Sequence, residues 1–317
     1  MVDQFPKITA LPHAELLSLQ EFWPTIVAWF PRSTEWGTAN ATYFLGDRQQ
    51  YVLKIYSDGN ARQRVFEHEL LLSISNAPLS FAIPIPLRVA TGNTLVQIGT
   101  ERNPLQAAVY QVIPGNSAPR GDGPRLVQIG KTLGELHRTL GASKIPEVNA
   151  VLPPWGDLDR IHPLVPNSRE VMHELGAPSD VVFKTQNIMT NVGRAMTRLQ
   201  LILPSQFVHA DYVQPNILFV GENVSGVIDF EFATYDLRAF DLVASLYHFC
   251  LSPWSDVPRW NLIESFVSGY LSYVRLTSGE IDSLPMLLRW QRLSCVVYWT
   301  GLDWSVPSTA SNSSKRD

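Results

Sequence analysis

The sequence predicts an α+β protein of two lobes, and three observations support this prediction. In the first third, strand-like stretches of alternating apolar and polar residues surround one helical stretch. Pro and Gly then concentrate over residues 114–124. Beyond that region, apolar residues recur at steps of three or four, which is typical of helices. We therefore expect an N-terminal antiparallel sheet with one main helix, followed by a mostly helical C-terminal lobe.

The pattern places the individual elements as follows. Asn60 occupies the N-cap position of a helix over 61–75. We place strands of the first lobe over 40–45, 50–56, 86–90, 94–98 and 107–113. The second lobe is expected to hold strands over 217–220 and 226–230 and helices over about 124–140, 186–202, 237–251, 258–275 and 279–299. The last helix follows Thr277-x-x-Glu280, a capping-box pattern.

These elements suggest a domain division. We expect residues 1–113 to form one lobe and residues 114–306 to form a second. The Ser-rich remainder, 307–317, is predicted to be a disordered tail.

Composition excludes several function classes. With 45% hydrophobic and 17% charged residues, the 317-residue chain is typical of a globular protein. A net charge of −4 without a basic run makes a nucleic-acid partner unexpected. No stretch of 18 apolar residues predicts a membrane span, and no export signal is visible at the start. We expect a soluble cytoplasmic protein in which Cys250 and Cys295 are buried thiols; the oligomeric state is left open.

The densest group of polar residues lies between two apolar stretches. His209, Asp211 and Asn216 form a short loop, and Asp229 follows within the next apolar run. An unpaired carboxylate there would cost several kcal/mol, on the order of the penalty for burying a lone charge. Mg²⁺ would compensate Asp229, with Asn216 as a second oxygen ligand. Asp211 would then be free to accept a proton from an alcohol, which is the arrangement that phosphoryl transfer requires.

The order Asp-x4-Asn, strand, Asp is that of the protein-kinase catalytic loop and metal-binding Asp. Two positions differ from protein kinases. The loop opens with His209-Ala210-Asp211 instead of His-Arg-Asp, and Glu231 follows Phe230 where protein kinases have Gly. The segments HADYVQPN and IDFEFATYDLRAFDLV resemble the aminoglycoside phosphotransferase and homoserine kinase superfamily, and within it the type II homoserine kinase-like branch. The resemblance extends over about 35–300. It implies a protein kinase-like bilobal fold that binds ATP and Mg²⁺ between its lobes.

The resemblance also implies the roles of site residues. Asp211 would be the catalytic base, His209 would orient the loop, and Asn216 and Asp229 would ligate Mg²⁺. Asp241 would brace the loop by hydrogen bonding.

Further residues are implied around the nucleotide. Lys54, in the strand YVLKIY, would hold the α- and β-phosphates. Its carboxylate partner is Glu67 or Glu69, and the Glu-x2-Leu pattern favours Glu69. The phosphate-covering turn would be 33–40 with its single Gly37; the remaining nucleotide contacts would be made by the hinge main chain at Gln111 and Ile113.

Other features have ordinary structural interpretations. Gly130-Lys131-Thr132 is not a P-loop, because Arg125 stands where that motif needs glycine. The acidic side chains of Glu231, Asp236 and Asp256 could bind a cationic acceptor, but exposure on the surface is the default expectation. Five tryptophans are expected in the core or at the acceptor pocket: Trp254, Trp260, Trp290, Trp299 and Trp304.

The sequence therefore predicts transfer of the γ-phosphoryl group of ATP to a hydroxyl of a small molecule. A homoserine-like amino alcohol is the nearest precedent in the superfamily. An aminoglycoside, choline or a sugar are alternative acceptors, although the last third carries no acidic cluster suited to a polycation. A non-catalytic nucleotide-binding pseudokinase is the alternative from another class.

Overall fold

The computed structural model describes residues 11–26, 28–34, 40–56, 60–100, 103–117, 123–251 and 259–305. Its first lobe is built on a five-stranded antiparallel sheet in the order β1-β2-β3-β5-β4. The strands are β1 (Arg32–Ser33), β2 (Ala41–Leu45), β3 (Tyr51–Tyr56), β4 (Val96–Thr100) and β5 (Asn103–Gln111). This sheet, with one main helix beside it, confirms the predicted α+β class.

The helix of the first lobe is α2 (Ala61–Ser73), and the short α1 (His13–Ser18) precedes the sheet. As predicted, Asn60 caps α2, because its side chain accepts a hydrogen bond from the Gln63 N–H. The predicted strand over 86–90 is wrong. This proline-flanked segment makes an isolated bridge between Pro86 and Tyr110, because proline has no N–H for a continuous ladder.

The connection between the lobes is held by hydrogen bonds to the second lobe. β6 (Asn116–Ser117) pairs with β8 (Ile217–Val220), which pairs in turn with β9 (Asn223–Val227). The Ser225 hydroxyl donates to Pro114 O at 2.5 Å. Gly115 has φ 143°, and an added Cβ there would meet Ser225 Oγ at 2.5 Å, so the close approach requires glycine. The domain boundary at residues 113 and 114 stays a prediction.

The second lobe is mostly helical, as predicted. Its helices are α3 (Gly123–Gly141), α4 (Val171–Glu174), α5 (Ser179–Ile202), α6 (Arg238–Cys250), α7 (Trp260–Leu271) and α8 (Ser278–Ser305). The capping box before α8 is confirmed, since Thr277 N–H donates to Glu280 and Glu280 N–H donates to Thr277 Oγ1. The predicted tail, 307–317, lies outside the described residues.

Two short strands that the sequence did not predict complete this lobe. β7 (Ser205–Val208) and β10 (Thr234–Leu237) pair antiparallel and flank the predicted loop. The strand expected over 226–230 instead ends at Val227. It cannot continue through Asp229, whose left-handed backbone (φ 68°) is incompatible with a strand.

The largest apolar core is shared by α2, α3, α6, α7 and the site loops. Helices α3 and α7 approach so closely that a Cβ on Gly130 would overlap the backbone of Phe266. Gly130 therefore serves helix packing, which agrees with the rejection of a P-loop there. Both cysteines are free thiols, Cys250 buried and Cys295 half-buried. Within the described ranges, no helix is long and apolar enough to span a membrane.

Candidate active site

The predicted catalytic loop follows β7 and is organised by a buried histidine. His209 Nδ1 accepts the Asp211 backbone N–H at 3.2 Å, so its proton lies on Nε2, which donates to Ile228 O at 3.1 Å. The ring is fully buried, and burial lowers its pKa below the usual value. A neutral imidazole with both nitrogens engaged is suited to orienting the loop rather than to proton transfer.

Asp211 and Asn216 are held together by the tight turn between them. Asn216 Nδ2 donates to Asp211 Oδ2 at 2.8 Å and to Asp211 O at 3.0 Å. Because both bonds use the amide nitrogen, Asn216 Oδ1 remains available as an oxygen ligand. Burial, and then the charge of Asp229, raise the pKa of Asp211 well above its ordinary value. Asp211 is therefore a carboxylate with increased proton affinity.

Two non-glycine residues at the site adopt left-handed backbone conformations, Ala210 at φ 61° and Asp229 at φ 68°. Such conformations cost about 1 kcal/mol or more and persist where surrounding contacts impose them. Asp241 supplies one such contact, since its Oδ1 accepts the Ala210 N–H at 3.1 Å. Its Oδ2 accepts from buried His137 Nε2 at 2.9 Å. These bonds agree with the bracing role expected for Asp241.

Asp229 meets Lys54 across the two lobes. Lys54 Nζ lies 3.0 Å from Asp229 Oδ1. Burial acts to lower the pKa of Lys54, but the neighbouring carboxylates, Asp229 foremost, raise it above its usual range. Burial acts to raise the pKa of Asp229, and Lys54 holds it below its usual value. From the sequence, a metal cation is expected to compensate the charge of Asp229; in the structure, the Lys54 ammonium already compensates it.

The prediction that Glu69 is the helix partner of Lys54 is wrong. Glu69 is exposed and its Oε2 accepts from Asn149 Nδ2 at 3.3 Å. Glu67 is 2% exposed, and its charge acts on Lys54. Residues two positions apart, such as Glu67 and Glu69, point in directions that differ by about 200° around the helix axis, so only one of the two carboxylates can face the sheet. The structure selects Glu67, the alternative that the pattern left open.

Glu231, expected on the surface, is instead a largely buried member of the site, with 11% of its side chain exposed. Its Oε2 accepts from Asn40 Nδ2 at 2.7 Å and lies 3.4 Å from Arg64 Nη1. Arg64 also contacts Glu67 Oε2 at 3.2 Å. Burial, and then the Asp229 charge, raise the pKa of Glu231 to about 7. Asn40 belongs to the predicted turn 33–40, whereas Arg64 was not predicted as a site residue, although Arg64 and Glu67 share one helix face at a spacing of three.

Of the residues predicted to contact the base or the phosphates of the nucleotide through their main chain, Gln111 and Ile113 are described and Gly37 is not. Gly37 lies outside the described residues, because 35–39 are not among them. Gln111 ends β5 opposite Tyr51, and Val112 N–H donates to Gln50 O at 2.8 Å. Ile113 lies outside the regular elements and its main chain makes no hydrogen bond within the described part of the chain. Its N–H and C=O are thus available to the edge of a base.

The donor chemistry of the site fits a hard divalent cation. Asn216 Oδ1 and the Asp229 carboxylate are oxygen donors of the kind that Mg²⁺ takes. No group of three or more His, Cys, Asp or Glu in the described ranges forms a metal cage. Asn216 Oδ1 and the Asp229 carboxylate suit an ion whose remaining positions are filled by phosphate oxygens and water.

The remaining predicted aromatic and acidic residues have diverse positions. Trp254 and Asp256 lie outside the described residues. Trp290 is buried and donates to Gly156 O at 2.6 Å, whereas Trp260 and Trp299 are exposed. Asp236 is buried, contrary to expectation, because its carboxylate accepts the N–H groups of Trp155 and Leu237.

Sequence comparison finds the same family along most of the chain. A family model described as "Phosphotransferase enzyme family" matches residues 32–273. Among curated relatives, homoserine kinase of Sinorhizobium medicae is 26% identical over 80% of this chain and 73% of its own. Homoserine kinase of Mesorhizobium japonicum is 29% identical over 89% of this chain and 83% of its own.

Solved structures share the fold at lower sequence identity. A microcompartment-associated aminopropanol kinase aligns with a TM-score of 0.68 at 16% identity, covering 90% of this chain and 89% of its own. An amicoumacin kinase in complex with AMP-PNP and Ca²⁺ aligns with a TM-score of 0.66 at 17% identity, covering 94% and 90%. The fold is thus that of protein kinase-like small-molecule kinases. From its family match, the chain belongs to the phosphotransferase enzyme family, as a small-molecule kinase.

Proposed function

We propose that this protein transfers the γ-phosphoryl group of ATP to the hydroxyl of a small amino alcohol, with Mg²⁺ as the metal. The observation that carries the proposal is the joint placement of two polar pairs. Lys54 with Asp229 spans the two lobes, and Asp211 with Asn216 lies in the adjoining loop. Phosphoryl transfer depends mainly on positioning and charge neutralisation, for which these residues supply the groups.

The acceptor side of the reaction is assigned to Asp211. Its carboxylate takes the proton of the acceptor hydroxyl as the oxygen approaches the phosphorus. The raised pKa of Asp211 assists this transfer, because it corresponds to a higher proton affinity of the base. Asn216 Nδ2 fixes the orientation of Asp211 through its 2.8 Å bond.

The nucleotide side is assigned to Lys54, Asn216 and Asp229. When bound, Mg²⁺ would neutralise charge on the phosphates. Asp229 and Asn216 Oδ1 would hold it, and Lys54 would exchange its bond with Asp229 for phosphate oxygens. Although burial acts to lower it, the pKa of Lys54 is raised by the charges of Asp229, Glu231 and Glu67, in that order, so the ammonium stays protonated in a partly buried setting. The main chain of Ile113 would contact the base.

The nature of the acceptor is supported by the relatives. Two of them are named homoserine kinases, and a structural neighbour is titled an aminopropanol kinase. Both acceptors carry an amine near an alcohol. Structural neighbours also include aminoglycoside kinases, so an aminoglycoside is the second candidate acceptor. The cytoplasmic location stays a prediction.

The proposal is tested by ADP release with MgATP and a panel of alcohols: L-homoserine, 1-amino-2-propanol, choline and kanamycin. We expect turnover that depends on one of these acceptors and that Asp211→Asn abolishes. A wild-type protein that does not bind MgATP in calorimetry would overturn the proposal. Binding of MgATP without phosphorylation of any alcohol, in this panel and in a wider metabolite screen, would favour the pseudokinase alternative.

A further inference from the structure

Three aromatic side chains from three separate elements meet beside the catalytic loop. Trp155 lies between α3 and α4, Phe232 lies three residues after Asp229, and Tyr298 belongs to α8. The centroid of the Tyr298 ring lies 4.9 Å from that of Trp155 and 6.0 Å from that of Phe232. All three residues are half-buried, so part of each remains accessible. We call these three residues the aromatic wall.

Hydrogen bonds fix the backbone of the wall. Trp155 N–H donates to the buried carboxylate of Asp236 at 2.8 Å, and the Ser294 hydroxyl donates to Trp155 O at 3.1 Å. The next residue, Gly156, accepts from Trp290 Nε1 at 2.6 Å. These partners belong to β10 and α8, both packed in the second lobe. The wall is therefore a preformed surface, as specific small-molecule sites usually are.

The wall continues the turn that follows Asp229, and the charges of two carboxylates act on it. Phe232 shares the short turn 230–232 that directly follows Asp229. Burial raises the pKa of the Tyr298 hydroxyl, and the charges of Asp211 and Glu231 raise it further, with no cation opposing them. Two carboxylates thus act on Tyr298 from the side of the catalytic loop.

Two polar atoms of the wall are uncommitted. Within the described part of the chain, the Trp155 indole N–H is buried and makes no hydrogen bond, and the Tyr298 hydroxyl makes none either. A phenol can both donate and accept, so it can bind an amine, hydroxyl or carboxylate of a ligand. The ring faces beside it attract cations through their quadrupoles.

We propose that Trp155, Phe232 and Tyr298 form the acceptor subsite, and that this subsite selects a compact hydroxy compound with one protonated amine. The inference deepens the proposed function and rests on it. The amine is held by ring faces within the field of the nearby carboxylates, which leaves the hydroxyl of the same molecule to meet Asp211. Ring faces and a single phenol suit one cationic group, whereas a polycation would require several directly paired carboxylates.

The test compares acceptors that differ only in the amine. Calorimetry on the MgADP-loaded protein measures binding of 1-amino-2-propanol against 1,2-propanediol, and of L-homoserine against 4-hydroxybutyrate. In at least one pair, we expect the amine to bind about tenfold more tightly than its neutral counterpart, in line with cation–π attraction at a partly desolvated site.

Variants assign this preference to the wall. Tyr298→Leu and Trp155→Leu are expected to reduce it below about threefold while MgADP affinity stays within about twofold, because the rings carry the cation–π contribution. Tyr298→Phe keeps the ring and should retain most of the preference, which separates loss of the ring from loss of the hydroxyl. Trp260→Leu removes an exposed indole on α7 and is the matched control.

Equal binding of amine and neutral partner in both pairs, by a protein that binds MgADP, would overturn the inference and leave the phosphotransferase proposal intact. A preference that persists in both Tyr298→Leu and Trp155→Leu would also overturn it. Absence of nucleotide binding in the wild type would instead overturn the proposed function itself. Circular dichroism of each variant identifies a folding failure, in which case Phe232→Leu, which removes the third ring of the wall, decides with the same two acceptor pairs: loss of the preference supports the inference and its persistence overturns it.

Discussion

Two parts of the site are assembled in different ways. One is the predicted catalytic loop, residues 209–216. The other, which we call the lysine cluster, consists of Lys54, Arg64, Glu67, Asp229 and Glu231. In the loop, His209, Asp211 and Asn216 bond to one another within eight residues of chain. In the lysine cluster, Lys54 and Asp229 are 175 residues apart, and Arg64 connects Glu67 with Glu231. The loop is a local motif, whereas the cluster exists only when the lobes pack. Substitutions in the loop should therefore alter chemistry, and those in the cluster should alter both nucleotide binding and lobe packing.

The largest effect is expected at Asp211. Asp211→Asn keeps the size of the side chain and removes the proton acceptor, so turnover should fall by about 10³-fold or more, as for loss of a general base. MgATP affinity should change little. Acceptor-dependent ADP release and calorimetry measure these two quantities, and Asp180→Asn at an exposed ion pair is the control. A variant that retains a tenth of wild-type turnover would contradict the role of base.

Lys54→Met should weaken nucleotide binding and stability together. It removes a phosphate ligand and leaves Asp229 without its ion-pair partner, at a cost of about 1–3 kcal/mol for a lost charged hydrogen bond. Lys184→Met is a matched control, because the Lys184 to Asp180 distance is also 3.0 Å but both side chains are over 60% exposed. Urea unfolding and MgATP titration measure the difference. Equal stability losses in both variants would indicate that burial of the Lys54 pair contributes nothing.

Glu67→Gln and Glu69→Gln together test which carboxylate supports Lys54. Glu67→Gln should lower kcat/KM for MgATP about tenfold, equivalent to ~1.4 kcal/mol, because the buried carboxylate beside Lys54 and Arg64 is lost. Glu69→Gln changes an exposed side chain and should alter kcat/KM less than about twofold. Steady-state kinetics at varied MgATP measures both losses of kcat/KM. A larger loss in Glu69→Gln than in Glu67→Gln would contradict the assignment.

The smallest effect concerns the pH dependence of stability. Burial, and then the charges of Arg64 and Lys54, lower the pKa of His68 to about 3. The unfolded chain, with an ordinary histidine, binds more protons between pH 3 and 6.5, so this residue destabilises the fold as pH decreases. From pH 7.5 to 5.5 the loss attributable to His68 should be about 1 kcal/mol.

His68→Gln checks that contribution, because glutamine does not titrate. Its free energy of unfolding should decrease less than that of the wild type between the same two pH values, as measured by urea unfolding. Parallel pH profiles for the two proteins would show that His68 makes no such contribution.

The sequence by itself determined the parts that depend on neighbouring residues. The caps at Asn60 and Thr277 could be predicted, because their bonds join residues three apart. The spacing of Asp211, Asn216 and Asp229 indicated the same kind of chemistry as the family that the chain matches. Helical periodicity also located the long helices of the second lobe, because an apolar face persists over several turns.

Tertiary structure decided the rest. Glu67 rather than Glu69 faces Lys54 because α2 packs with one particular face toward the sheet, and rotation of a helix is not encoded in a short motif. Glu231 is largely removed from solvent because Asn40 and Arg64 from the other lobe reach it. Trp155, Phe232 and Tyr298 are separated by at least 66 residues along the chain and meet only after folding. Long-range contacts of this kind leave no periodic signal in the sequence, because their spacing is set by packing rather than by the helix or strand repeat.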